Sequence, residues 1–298
     1  STMSQRVVPP SPNSSALIRV ANTNVHEYSG TLAVNIPLAS LPSKSMNIPV
    51  SLNYRATGIK VQEVATSVGL GWNLSAGGRV TRVVKSIPDY EVVQCLPDPY
   101  TPGSTTIAWA AGDYCDSEWD IYYYSFLGRV GKFVVDTEND QVIPVPMTDM
   151  NYNYDHSSEE FTITDEHGYS FHFGLDNQNI EKTSTSTSYE LVSSTGYRVG
   201  PKRSTDPERW ESKHTYNSSW LLYKIVSPQE REIATFSYDS SDIEFIYYNE
   251  KVVEEDGSNE SKQYQTDTKL EISQKYVSQI DSDFGSMLFS YSPNRKDL

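Results

Sequence analysis

The chain of 298 residues carries 39 acidic against 24 basic side chains, a net charge of −15 and a pI near 4.7. That excludes a nucleic-acid-binding surface, because phosphate contacts need a cationic face of some size. Hydrophobic residues make up 37% and the mean hydropathy is −0.53, yet 21 tyrosines and 9 phenylalanines supply apolar faces with polar tips, which suits half-wet sheets better than a deep aliphatic core.

The length allows one large or two smaller domains. No run of about 18 apolar residues occurs, so the sequence predicts no membrane span. Residues 1–29 are rich in Ser, Pro and Asn, contain no secretory leader, and are read as an extended amino-terminal arm. Leu32 to Leu38 is the first strand pattern. Ile48, Val50, Leu52 and Tyr54 then alternate with Pro49, Ser51 and Asn53, the period of a strand with one buried face. After Gly58, Ile59 and Val61 continue the sheet. Val64 to Val68 is too short for a helix, and Gly77-Gly78 is a turn into the strand Arg79 to Val84.

From Pro88 to Asp116 the pattern dissolves into an inserted loop, 88–116, holding Cys95 and Cys115, for which a disulfide and two thiols are both open. Aromatic hairpins follow. Asp120 to Phe126 and Val130 to Val135 flank Leu127-Gly-Arg129, and Phe161 to Thr164 and Tyr169 to Phe173 flank Asp165-Glu-His-Gly168. Residues 181–218, full of Ser, Thr, Lys and Glu, read as a second, polar loop.

An internal repeat closes the chain. Leu222 to Tyr238 recurs as Val277 to Tyr291, with Ile225, Phe236 and Tyr238 matching Ile280, Phe289 and Tyr291, so each copy predicts a hairpin ending on aromatic-x-Tyr. The expected fold class is all-β, antiparallel hairpins and meanders in an open curved sheet. Its divisions are the arm 1–29, a β-region 30–180 with the inserted loop, the polar loop 181–218, and hairpins over 219–298.

Two segments carry a resemblance. Asn35-Ile-Pro-Leu38, Ile48 to Tyr54, Gly58-Ile-Lys-Val61 and Gly69-Leu-Gly-Trp72, in that order, look like the amino-terminal region of the Rhs/YD-repeat family of large secreted bacterial proteins, and the repeat hairpins resemble the YD repeat. The first copy departs from the family in having Gln229-Glu-Arg231 where glycine is usual, and the family's Asp-Pro-x-Gly-Leu core motif is missing. The resemblance implies the start of a hollow β-shell, stacked hairpin on hairpin. It further implies a non-catalytic scaffold in toxin or effector encapsulation or delivery, secreted or at the cell surface. Its partners would be the remainder of the same shell, a toxin cargo or a surface partner, with self-association through an open strand edge. Tyr54, Gly58, Gly69, Gly71, Trp72, Gly77 and Gly78 are its structural motif residues, with Trp72 expected in the core.

Other chemistry is weakly signalled. Gly69 to Gly78 lacks the Gly-Lys-Ser/Thr and following helix of a phosphate cradle, and Asn73-Leu-Ser75-Ala-Gly77 departs from the nucleophile elbow in its first position. His26, His156, His167, His172 and His214 are dispersed, and Asp113, Asp116, Glu118 and Asp120 lack the spacing of a calcium loop. No catalytic residue, cofactor or metal site is therefore assigned. Tyr122 to Tyr124 and Tyr247-Tyr248 read as sheet packing before sugar stacking. The alternative function is an adhesin or a glycan- or protein-binding module. A polysaccharide hydrolase would need a convergent pair of carboxylates, which 39 acids neither identify nor exclude.

Overall fold

The computed structural model describes residues 11–14, 33–55, 64–85, 88–89, 119–137, 139, 141–194, 212–254 and 261–292. Gly58, His26, Cys95, Cys115, Asp113, Asp116, Glu118 and nearly all of the inserted loop lie outside them. The described chain is all-β and antiparallel, and it divides into two compact units, one of residues 1–181, 217–240 and 275–298, the other of 182–216 and 241–274.

In the first unit β1 (Ala33–Pro42), β2 (Asn47–Arg55) and β3 (Trp72–Ala76) form a three-stranded sheet, with Ile48 and Val50 pointing inward. At Gly77 the chain leaves that sheet, and β4 (Gly78–Val83) joins a second one. There β4 pairs with β5 (Ile121–Phe126), β5 with β6 (Arg129–Asp136), and β6 with β7 (Gln141–Pro144). The β5–β6 turn has φ of +44° at Leu127 and +82° at Gly128, the double positive-φ signature of a twisted two-residue hairpin.

β8 (Asn151–Asp155), β9 (Glu160–Thr164) and β10 (Ser170–Gly174) form a meander that joins β12 (Ser212–Val226) through β10, and β12 also pairs with β4 over Ser219–Leu221. The core between them is aromatic. Tyr122, Tyr124 and Phe126, two apart on β5, point the same way and meet Phe133, Phe161, Phe171, Phe173 and Trp220. Gly131 stands opposite Tyr124 because a Cβ there would collide with its ring.

The repeat is present as two hairpins, β12 with β13 (Glu232–Glu254) and β14 (Ser261–Ser282) with β15 (Gly285–Leu288). Ile225 and Ile280 are both fully buried, and Phe289 extends the second ladder by donating its N–H to Ser278 O. Where the first copy lacks glycine, Glu230 itself takes φ +58°. Among the described residues β15 has the single partner β14, and Phe284 and Leu288 beside that edge are exposed.

The second unit corrects the expectation of a polar loop at 181–218. β11 (Ile180–Ser194) is a 15-residue strand, paired antiparallel with β14 from Lys182↔Ser273 to Ser194↔Lys262, and β12 begins at Ser212. The Thr-Ser alternation carries no apolar stripe, but branched threonines suit the pleat. Thr183 opposite Ile272 and Thr185 opposite Leu270 pair with a partner strand whose apolar alternation is clear. Lys269 on β14 bridges Glu244 at 2.9 Å and Glu271 at 3.1 Å, and those two bonds are the main reason its ammonium is held above the ordinary lysine range.

Two further expectations are revised in the first unit. Residues 12–14 of the supposed extended arm form a buried helical turn. Trp72 is half-buried instead of buried. It pairs across the ladder with Tyr54, ring centroids 5.1 Å apart, in a sheet of three strands, and among the described residues the buried tryptophan is Trp220.

Candidate functional site

The glycine motif shapes a polar cleft in the first unit. Gly69, Gly71 and Gly77 take φ of +125°, +74° and +86°, conformations that side-chain-bearing residues rarely adopt. A Cβ on Gly77 would sit 3.0 Å from Phe236 Cδ1 and 3.4 Å from the Tyr238 hydroxyl, so the corner exists where the first repeat hairpin presses its aromatic pair against the backbone. Phe236 and Tyr238 therefore share a face. Asn73, Ser75 and Arg79 line one wall of the cleft, and Tyr238, Tyr276 and Tyr291 another.

The two repeat tyrosines make the same bond. Tyr238 donates its hydroxyl to the Leu222 carbonyl at 2.6 Å and Tyr291 donates to the Val277 carbonyl at 3.0 Å; Leu222 and Val277 are themselves equivalent, each three residues before the buried isoleucine. Burial pushes Tyr238 well above the ordinary tyrosine range and Tyr291 up to about 12, in each case against the opposing pull of Arg79. Both stay neutral hydrogen-bond donors near pH 7.

Behind the cleft Arg79 meets Glu181, whose side chain is fully buried. Glu181 Oε1 lies 3.3 Å from Arg79 Nη1 and accepts the Lys275 N–H at 2.9 Å. Its other oxygen accepts the hydroxyls of Ser11 at 2.8 Å and Ser14 at 2.9 Å. With every lone pair engaged, this carboxylate has no capacity left as a general base. The described cleft lining otherwise offers hydroxyls, amides and tyrosine rings, with no His, Cys, Asp or Glu.

Other polar clusters in the first unit are bound up in structure. Arg82 Nη2 and Nε lie 2.5 and 2.6 Å from Asp120 Oδ2, while Asp89 and Asp120 exchange backbone N–H to carboxylate bonds at 3.3 and 3.0 Å. Burial works against the Arg82 charge, but Tyr122, Asp120 and Asp89 outweigh it and hold the guanidinium above its ordinary value. Asp120 is thus committed to Arg82 and is no calcium ligand. This clamp ties together the two ends of the inserted loop.

On the meander, His172 Nδ1 lies 2.6 Å from Glu160 Oε1, which sets the proton on Nδ1, and Tyr223 donates to the same oxygen at 3.0 Å. Burial, then that bond, raises the Tyr223 hydroxyl. In the β9–β10 turn Asp165, Glu166 and His167 bring ligand atoms within 4.8 Å, but Asp165 is already held by Arg129 Nη2 at 2.7 Å and by the N–H groups of His167 and Tyr169. Tyr122, Tyr123 and Tyr124 are all buried, so none is a sugar platform.

Sequence reasoning singled out the glycines and the repeat tyrosines but missed the Arg79–Glu181 pair, the Arg82 clamp and the Tyr223–Glu160 bond, which join residues 102, 38 and 63 positions apart, and it did not pair His172 with Glu160 across their own hairpin. A charged residue inside an otherwise apolar or hydroxylic strand was the available signal. Comparison of the chain with protein-family models, with curated proteins and with solved structures returns no match in any of the three. Among the described residues no helix is long and apolar enough to cross a membrane, which leaves strand-built crossings untouched.

Proposed function

We propose that this chain is a non-catalytic β-scaffold, a segment of a larger shell of the kind that the Rhs/YD-repeat resemblance implies, serving to contain or deliver a cargo at or beyond the cell surface. The observation that carries this reading is the repeated tyrosine-to-carbonyl bond. Two hairpins of different turn type end on one hydrogen bond at equivalent positions, Tyr238 to Leu222 and Tyr291 to Val277, as expected of a unit built to be stacked in series. The single-partner strand β15, with exposed Phe284 and Leu288, suits the addition of a further strand or of a second copy. At the cleft itself the described lining holds no Asp or Glu, and Glu181 behind it is held by Arg79, Lys275 N–H, Ser11 and Ser14.

A photo-crosslinking residue at Ser286 on β15, introduced in the producing cell, tests the reading. The expected product joins this strand to another β-segment of the same shell polypeptide or to a second copy. Capture of a glycan or an unrelated receptor would favour an adhesin, and turnover of a polysaccharide or peptide abolished by Glu160→Gln would make the chain an enzyme.

A further inference from the structure

Residues Ser11 to Ser14 are unlike the rest of the first unit. Ser11 caps its own turn, its Oγ accepting the Ser14 N–H at 3.3 Å, and Pro12 follows at the first helical position, where its missing N–H costs nothing. The turn is sunk into the protein, with Ser11 and Ser14 fully buried and Asn13 7% exposed. Among the described residues its attachments are made by side chains. Ser11 and Ser14 donate to Glu181 Oε2, Ser14 Oγ lies 2.7 Å from Ser219 Oγ, and Arg79 Nη1 donates to Ser14 Oγ at 2.8 Å. Asn13 Oδ1 accepts the Ser67 N–H at 3.1 Å and faces the Ser67 hydroxyl at 3.4 Å. Among the described residues no backbone ladder joins the turn to a strand, and none of its residues belongs to the hydrophobic core cluster.

The complementarity lies with the receiving side. Among the described residues Glu181 Oε2, on a carboxylate with no solvent exposure, has the two serine hydroxyls as its partners. A buried charge needs such donors, so the cavity is selective for a pair of hydroxyls one helical turn apart with an amide acceptor between them. We infer that Ser11–Ser14 is a docked peptide ligand, and that Glu181, Arg79, Ser219 and Ser67 form a receptor site for a Ser-Pro-Asn-Ser turn that takes the same segment when it is supplied as a separate peptide. The occupant is this chain's own amino-terminal segment, and an exchanged segment from a second copy would use the same contacts.

The test uses the full chain with a specific protease site inserted between Val25 and His26. After cleavage under native conditions the amino-terminal fragment remains with the body through gel filtration, and a fluorescent synthetic peptide of residues 5–20 replaces it over time. A peptide carrying Ser11→Ala and Ser14→Ala binds at least about tenfold more weakly, as the loss of two charge-assisted hydrogen bonds requires, and Asn13→Ala weakens binding by a smaller factor. Glu181→Gln in the body lowers the affinity for the unmodified peptide while shrinking the difference between the two peptides. If Glu181→Gln does not fold, the peptide series on the cleaved natural body decides alone. Failure of the labelled peptide to bind or exchange, or equal binding of the natural and the doubly alanine-substituted peptides, overturns the inference.

Discussion

Replacing Gly78 by alanine places a methyl group where β4 meets β5. The new carbon would lie 2.9 Å from both Phe126 Cα and Ser125 O, and closer still to Phe126 Cβ. An ordinary carbon contact is about 3.5 Å or more, so β5 must withdraw by more than half an ångström. It has little freedom to do so. Gly78 is the register partner of Phe126, whose ring is 1% exposed and packs against Phe171 at 4.6 Å and Phe173 at 5.5 Å. Overpacking of this kind costs about 1–3 kcal/mol, against which alanine recovers roughly 0.5–1 kcal/mol of unfolded-state entropy relative to glycine. With contacts this short the cost falls at the top of that range, so the expected net loss is about 2 kcal/mol, a fall of roughly 4 °C in Tm. Urea unfolding followed by tryptophan fluorescence measures it. Gly128→Ala is the control, since nothing stands within 4 Å of its added carbon and the only penalty is its φ of +82°. A Gly78→Ala protein no less stable than Gly128→Ala would refute the steric argument.

Trp220→Ala, deep in the aromatic cluster, costs about 3–5 kcal/mol, whereas half-buried Trp72→Ala costs about 1–2 kcal/mol, and equal losses in urea unfolding would contradict that ranking. Tyr238→Phe and Tyr291→Phe each lose one hydrogen bond, about 1 kcal/mol apiece, and markedly unequal values would argue against a common role for the repeat tyrosines. Because the folded pKa of both tyrosines is raised above the unfolded value near 10, their contribution to stability is complete below about pH 10 and lost as pH climbs, for Tyr291 through about 12. Phenolate absorbance in an alkaline titration, compared with Tyr291→Phe, shows whether that late-ionising group is present. Arg82→Ala leaves the buried Asp120 carboxylate without its cation and costs about 3–5 kcal/mol, while Arg82→Lys restores part of it; an unchanged midpoint would mean that the clamp does not hold the chain at Asp120.

Local features of the fold were legible wherever the signal is short-ranged. The alternation of Tyr122, Tyr124 and Phe126, the Leu127-Gly128 bend and the paired Phe236/Tyr238 need only the period of a strand and the backbone latitude of a turn, whereas Phe289 and Tyr291 lie just past the end of β15. The strand at Ile180–Ser194 was hidden because Thr and Ser alternate without an apolar face, and what holds them extended is β14, about 70–90 positions further on. Trp72 misled for the opposite reason. A tryptophan amid glycines suggests a core, but the sheet around it has only three strands, and every residue of Trp72's own strand is half-buried. At the candidate site the glycine corner was visible, whereas the Glu181 pairings were not, since they join residues 102 and 170 positions apart and leave no local pattern.

The 15 residues of β12 serve as a common partner for β10, β13, β4 and β11, and this has a consequence for how the chain is made. Thr81 meets Ser219 across 138 positions, so β4 gains that partner only after about 7–28 s more of synthesis at roughly 5–20 residues per second. Until then an edge with buried Val80 and Thr81 beside three tyrosines waits open on the nascent polypeptide. The delay makes folding slow and gives chaperones, or a neighbouring ribosome's product, time to engage that edge. Synthesis rate and temperature should therefore govern the yield of native protein more strongly than its final stability does.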